Sequence, residues 1–256
     1  MSYLNQFIQS CHANLDLKTS ELDRANIYLY DRGLNKDSIQ NNKIGYCPRN
    51  FEIPEEIKFI GKTAKGDNGF SYCINNRIIV PIHGEFGTIV GFATRKPSFE
   101  SGNTWWNTPF KKSNHLFLLD RARKHIFEKN KIYIVEGYMD ALILQQYGLK
   151  ETVALMGTIM SQRKVGLIAR YCDNVCLCLD VDNNKAGQNA QKKIIHTLRK
   201  FDFCESISII ENLPIGMDPD NYVIKNGLQE FLSMERKLSI AEINKTYKEV
   251  EASEKS

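Results

Sequence analysis

From Lys131 onward, short unbroken apolar runs alternate with longer stretches in which apolar residues recur at helical spacing. KIYIVE (131–136), TVALMG (152–157), NVCLCLD (174–180) and SISII (206–210) are rich in β-branched residues, and each predicts a strand. The first is followed by MDALILQQYG (139–148), which sets Ala141, Leu142 and Leu144 at helical spacing before a glycine stop. Ser161 is placed to cap a second helix carrying Val165, Leu167, Ile168 and Tyr171. A third helix, AGQNAQKKIIHTLRKF (186–201), has Ala190, Ile194, Leu198 and Phe201 on one stripe. Wholly apolar strands separated by amphipathic helices predict a parallel sheet covered on both faces, with right-handed crossovers.

The chain before Lys131 has a different texture. Up to about Asn50 it reads as mixed helix, with Leu22, Ile27, Leu29 and Leu34 as core candidates and Gly33 as a break. Residues 51–70 are loop-like, punctuated by Pro54, Gly61, Gly66 and Gly69. RIIVPI (77–82) and TIVGFATR (88–95), joined by HGEFG, predict an antiparallel hairpin. From Ser233 the sequence turns polar and helical and ends in EVEASEKS, which reads as a fraying tail. The fold class is therefore α/β: an α+β N-terminal subdomain over 1–130, a parallel sheet flanked by helices over 131–232, and a short helical tail over 233–256.

Composition narrows the reading. With 256 residues, 42% hydrophobic and 25% charged, the chain can bury its own core, and a disordered, collagen-like or coiled-coil protein is excluded. No apolar run reaches the roughly 18 residues of a membrane helix, and Met1–Ser10 has no basic region before its apolar residues, so a soluble, cytoplasmic chain is expected. The seven cysteines form no Cys-x-x-Cys pair, and His12, His83, His115, His125 and His196 show no ligand spacing; reduced core thiols without structural zinc are expected. Net charge is +4 but uneven. Residues 1–135 carry 19 basic against 13 acidic side chains, and residues 86–131 carry 9 against 3. A basic half beside a mildly acidic half suits a polyanion site next to a metal site.

The acids lie where chemistry is expected in such a sheet, beyond the carboxyl ends of the strands. Glu136 closes the first strand, Asp180 and Asp182 the third, and Asp218 and Asp220 follow the fourth in PIGMDPD. Asp140, four residues after Glu136, can return to the same edge from the first turn of its helix. Six carboxylates at one edge repel one another unless cations are present. Hard oxygens without His or Cys favour Mg²⁺ or Mn²⁺, and Asp180 with Asp182, or Asp218 with Asp220, can each face one ion from an extended chain. Upstream, Arg77, Arg95, Lys96, Lys111 and Lys112 are interleaved with Trp105 and Trp106, the composition of a groove that neutralises phosphates and stacks bases.

EGYMD (136–140), the VALMGT strand ending at Gly157 and Thr158, LDVD (179–182) followed by AGQNA, and MDPD (217–220) together resemble the Toprim fold of topoisomerases and primases. In this form they are most similar to DnaG-type primases of bacteria and their phages. YLYDRGL (28–34), IGYCP (44–48), NRIIVPIHGEFGTIVGFATR (76–95) and WNTPFKKSNHLFLLDRA (106–122) resemble the upstream half of the same catalytic core. The resemblance covers about residues 24–232. It implies a DNA-directed RNA polymerase that makes short RNA primers on single-stranded DNA from nucleoside triphosphates, with Mg²⁺ or Mn²⁺ as cofactor. It further implies Glu136 as the acid near the reacting phosphate, with Asp180 and Asp182 as catalytic acids. Glu136, Asp140, Asp180, Asp182, Asp218 and Asp220 would be metal ligands, and Arg77, Arg95, Asn107, Lys111 and Lys112 template or nucleotide contacts.

The sequence departs from the family pattern at several points. Two extra residues separate Asp182 from Ala186-Gly187, a family lysine is replaced by Thr104, and the segment from Asn107 to Lys112 is shortened. No counterpart of the family's zinc-binding domain or helicase-binding tail is expected in the chain, so two alternatives stand: a core that relies on partners, namely a replicative helicase or a separate zinc-binding, template-recognition domain, or a fragment. Two other readings stay open: a Toprim nuclease using the same metals, and a non-catalytic nucleic-acid-binding subunit of a replication complex.

Overall fold

Two patterns of strand pairing divide the chain. A computed structural model describes residues 2–15, 20–58, 74–98, 105–181 and 186–254 of the 256. It separates into one unit of residues 1–83 with 87–110 and a second of 84–86 with 111–256.

In the first unit, Ser2 accepts the Asn5 amide and starts α1 (Tyr3–Asn14), whose Phe7, Ile8 and Cys11 are buried. The helices α2 (Ser20–Asp31) and α3 (Lys36–Asn41) follow, the latter capped by the Asn35 side chain. Strands β1 (Gly45–Cys47), β2 (Arg77–His83), β3 (Ile89–Arg95) and β4 (Trp105–Asn107) form an antiparallel sheet in that order. The expected hairpin is β2 and β3, with a register shift at Ile82/His83. The core gathers Phe7, Ile8, Cys11, Cys47, Ile79 and Phe92. At Gly45 an added Cβ would lie 2.5 Å from the Cys11 carbonyl carbon, so only glycine lets α1 sit this close to β1. Of the expected core residues, Leu29 and Leu34 are each 2% exposed, but Ile27 is 57% exposed. The buried face of α2 runs through Ala25, Tyr28 and Leu29, which leaves Ile27 on the other side. Leu22's side chain and most of the expected loop over 51–70 lie outside the described residues.

In the second unit, α4 (Leu119–Lys129) precedes a five-stranded sheet of β5 (Lys131–Val135), β6 (Thr152–Ala154), β7 (Asn174–Leu177), β8 (Ser206–Ile210) and β9 (Glu235–Lys237). The order is β6-β5-β7-β8-β9; the first four strands are parallel and β9 is antiparallel. The helices are α5 (Tyr138–Gln146), α6 (Gln162–Ile168), α7 (Ala186–Phe201), α8 (Pro219–Asn226), α9 (Leu228–Ser233) and α10 (Ile240–Glu254). Ile132, Ile134, Val175, Leu177, Ile207 and Ile209 share a core with Val165, Ile168, Ile194 and Leu198 of α6 and α7. Tyr133, Cys176 and Ser208 alternate to the opposite face of the same strands. Every residue of α5 from Tyr138 to Gln145 is buried, as expected of a helix apolar all round.

Three expectations are corrected here. The boundary falls near Phe110 rather than 130, because Leu119, Ala122 and Ile126 of α4 complete the parallel-sheet core. The expected fraying tail is instead a fifth strand and a docked helix. Tyr247 of α10 stacks on His196 at 4.6 Å, Lys192 pairs with Glu249 at 2.7 Å, and Val250 is buried. Phe201, placed on the buried stripe of α7, is 37% exposed at the helix end, whereas Ala190, Ile194 and Leu198 are buried as expected. No helix among the described residues is long and apolar enough to cross a membrane.

Candidate active site at the carboxyl edge of the parallel sheet

Each acid reaches this edge through a local device that the sequence makes readable. Strand β5 ends at Val135, and the Glu136 carbonyl accepts amides of Met156 (3.0 Å) and Gly157 (3.4 Å) from the loop after β6. That loop needs left-handed backbone at Met156 (φ 62°) and Gly157 (φ 139°). Gly137 caps α5, and its amide donates to Asp140 Oδ2 at 3.2 Å. The other carboxylate oxygen, Asp140 Oδ1, accepts the Asp220 amide at 3.2 Å. Asp140 thus ties the β5–α5 turn to the start of α8, a brace between segments rather than an open ligand.

The β7 and β8 segments meet the same edge. The Asp180 carbonyl abuts the first turn of α7 so closely that a Cβ on Gly187 would lie 1.9 Å from it. The same Cβ would lie 3.7 Å from Glu136 Oε1, which brings the Glu136 carboxylate and the Asp180 backbone to the same face of one glycine. The Gly216 amide donates to the Val181 carbonyl at 2.9 Å, joining the loop after β7 to the one before α8. Asp218 is the N-cap of α8, Pro219 follows in the first turn, and Asp220 is 1% exposed. Burial raises the Asp140 carboxyl well above the carboxylate range, and repulsion from Asp220, Asp180 and Asp218 adds to this. The Asp220 amide bond opposes the rise. Glu136, Asp140, Asp180, Asp218 and Asp220 therefore converge, as expected from their order, while Asp182 lies outside the described residues. Among the described residues no three His, Cys, Asp or Glu side chains form a finished metal cage.

A lysine that the sequence reading did not single out stands at this edge. Lys164 of α6 is 2% exposed, and its Nζ donates to the carbonyls of Leu155 (2.7 Å) and Ile159 (3.0 Å). It fastens the loop whose amides hold Glu136. Burial pulls its pKa down to about 8, and the nearby Lys112 ammonium adds to the effect. The available signal was a lysine three and four residues before the inward positions Leu167 and Ile168, and so on the inward face of an apolar-periodic helix. Lys112 is itself half-buried, which lowers its pKa, and Lys111 is exposed. Tyr138 is core, edge-on to Phe117 at 4.9 Å. Burial pushes the Cys172 and Cys204 thiols up to about 12, which keeps them protonated.

In the first unit the basic residues are split between two sheet faces. Arg95 lies over the rings of Tyr28 (5.4 Å) and Trp105 (5.1 Å) and hydrogen-bonds the Tyr28 hydroxyl. Asn107 pairs with Ala93, so it shares that face. Arg77 is only 9% exposed on the opposite face, where its Nε donates to Thr94 Oγ1 at 2.8 Å. The structure thus groups Arg95 with Asn107 and Trp105, and sets Arg77 with Thr94 and Trp106.

This architecture has close counterparts. Residues 12–123 match the sequence family described as DNA primase catalytic core, N-terminal domain, and residues 133–223 match the Toprim-like family. The DNA primase of Rickettsia conorii is 34% identical over 233 residues, 84% of this chain and 38% of that protein. The DNA primase of Staphylococcus epidermidis is 31% identical over 250 residues, 91% of this chain and 41% of that protein. The chain spans about two fifths of the length of these relatives. A solved structure of the DnaG catalytic core superposes with a TM-score of 0.74 at 25% identity, covering 91% of this chain and 77% of that one. A DnaG primase catalytic domain bound to single-stranded DNA gives 0.68 at 26% identity, covering 91% and 81%. An acid-edged parallel sheet that follows an antiparallel unit in the chain defines a Toprim-bearing primase core. The chain belongs to the DnaG-type DNA primase family.

Proposed function

We propose that this chain synthesises RNA primers on single-stranded DNA by nucleotidyl transfer. One observation carries the reading: carboxylates from the ends of β5, β7 and β8 meet at one sheet edge, Glu136 beside Asp180 at Gly187 and Asp140 against Asp220, where burial and then repulsion from Asp220, Asp180 and Asp218 raise the Asp140 carboxyl. Such an arrangement is costly unless it offsets positive charge. The donor set, all hard oxygens, fits a divalent cation. Glu136, Asp180 and Asp218 would hold it together with Asp182, while Asp140 and Asp220 fix the segments that carry them. A bound Mg²⁺ or Mn²⁺ supplies charge neutralisation for the triphosphate and the departing pyrophosphate.

The chain's own groups do the remaining work. Glu136 stands beside the α7 start, where its carboxylate can take the proton of an attacking 3′-hydroxyl or serve as ligand. Lys164 keeps the Leu155–Ile159 loop, and through it Glu136, in position. Arg95, stacked between Tyr28 and Trp105, offers a fixed cation for template phosphates, with Asn107 on the same face. Lys111 and Lys112 are the nucleotide contacts of the second unit. A separate zinc-binding template-recognition domain and a replicative helicase are the partners such a core would use.

The test is RNA synthesis on a defined single-stranded template with four ribonucleotides and Mg²⁺ or Mn²⁺. Template-dependent oligoribonucleotides are expected. Strand cleavage in a reaction lacking nucleotides, with no RNA in the complete reaction, would instead establish a nuclease.

A further inference from the structure

A cleft of about 890 Å³, lined by none of the edge acids, lies in the second unit between α6, the turn at Lys112–Asn114 and the end of α7. Its walls carry Arg163 and Arg170, and its far end carries Phe201 and Phe203. Arg163 is exposed and has no ion-pair partner among the described residues, whereas Arg170 pairs with Glu85 at 2.8 Å. Burial and then the charges of Arg163 and Lys164 hold the His115 imidazole below its ordinary range.

The floor is Gly166. A Cβ there would meet nothing within 4 Å, so the fold does not require glycine, and glycine inside a helix is less favourable than alanine. What glycine provides is a flat floor open to the cleft. The direction of the cleft is also set by the fold. Helix α6 starts one residue after Ser161, next to the loop held by Lys164, so the cleft begins beside the catalytic edge. Seven helical residues carry it about 10 Å away. Its volume is at the upper end of clefts that enclose small molecules, about 300–1,000 Å³, and accommodates a few nucleotides.

We propose that this cleft is a second single-strand nucleic-acid site, which takes the strand as it passes the acid edge. Arg163 and Arg170 contact consecutive phosphates, a base stacks on Phe201, and the backbone crosses Gly166. The inference rests on the nucleotidyl-transfer reading. It adds a path for the strand outside the catalytic edge, and it names the residues that line that path.

The test uses the full chain and a fluorescein-labelled dT₁₂ oligonucleotide, with primer synthesis measured in parallel. Arg163→Gln should lower the slope of log affinity against log salt by about 0.7, the value for one lost phosphate contact on a single strand. Phe201→Ala should weaken binding about fivefold or more, the loss of one stacked base. Gly166→Leu should block binding in the cleft, while Gly166→Ala, which fits the helix, controls for folding by thermal unfolding. In all three variants the first dinucleotide should still form, and longer primers should be lost. Unchanged affinity, salt slope and primer length in the three variants would overturn the proposal. So would displacement of the oligonucleotide by polyglutamate as readily as by unlabelled dT₁₂. Failure of the unaltered chain to make any RNA would count against the catalytic reading, while oligonucleotide binding would still test the cleft.

Discussion

Gly187→Ala is a perturbation for which two physical effects predict opposite signs. By helix propensity alone the change stabilises α7 by about 1 kcal/mol. The structure predicts the reverse, because the new methyl carbon would lie 1.9 Å from the Asp180 carbonyl oxygen. Ordinary carbon–oxygen contacts are about 3.3–3.6 Å, so the carbonyl or the helix start must move by more than about 1 Å. Overpacking of this kind costs about 1–3 kcal/mol. At about 2–4 °C per kcal/mol for 150–250 residues, 3 kcal/mol lowers the melting temperature by about 6–12 °C. The displaced atoms belong to the residue that carries one of the acids, and Glu136 Oε1 is 3.7 Å from the same point. A displacement of about 1 Å at a reacting centre costs about 100-fold in rate. Thermal unfolding and initial rates of primer synthesis measure both effects. A melting temperature that is unchanged or raised, with full activity, would show that Asp180 is not packed on the start of α7.

Lys164→Met removes a buried cation whose folded pKa, about 8, lies below the unfolded value near 10.5. Between these values the unfolded chain binds more protons, so the native protein gains stability as pH rises from about 8 to 10.5. The Met variant should lack this gain, and melting temperatures across that window compare the two. Val250→Asp places a charge in the contact of α10 with α7 and should lower the melting temperature by several degrees; no change would show the C-terminal helix to be undocked. Glu235 is raised by burial, but hydrogen bonds from Lys131 and Tyr133 outweigh this and leave its pKa lowered. Its contribution is therefore present above about pH 4.5 and lost as pH falls through the folded pKa. Glu235→Gln should accordingly flatten acid unfolding below pH 4.5, as followed by circular dichroism.

Much of the second unit was legible because its signals are local. SISII became β8 and AGQNAQKKIIHTLRKF became α7 with unchanged ends, and Ser161 caps α6 as its side chain allows. The order of the acids also followed, since a parallel sheet delivers successive strand ends to one edge. What escaped depends on tertiary pairing. The segment ERK at 235–237 has no β-branched residue and becomes a strand only because β8 offers a free edge and Glu235 meets Lys131 at 2.6 Å. Asp140 shows the same limit: spacing brings it to the edge, but only the fold reveals that its oxygens are taken by amides of Gly137 and Asp220. The two faces of the first sheet likewise became visible only with the register, which sets Ile78 opposite Arg95 and Ile79 opposite Thr94.

The central claim is that carboxylates from three separate strand ends form one cation site. Calorimetric titration of Mn²⁺ into the unaltered chain and into Glu136→Gln, Asp180→Asn and Asp218→Asn tests it most directly. The account predicts binding by the unaltered chain and a large loss of affinity in each variant, with melting temperatures that show all four to be folded. Undiminished Mn²⁺ binding by the three folded variants would contradict it.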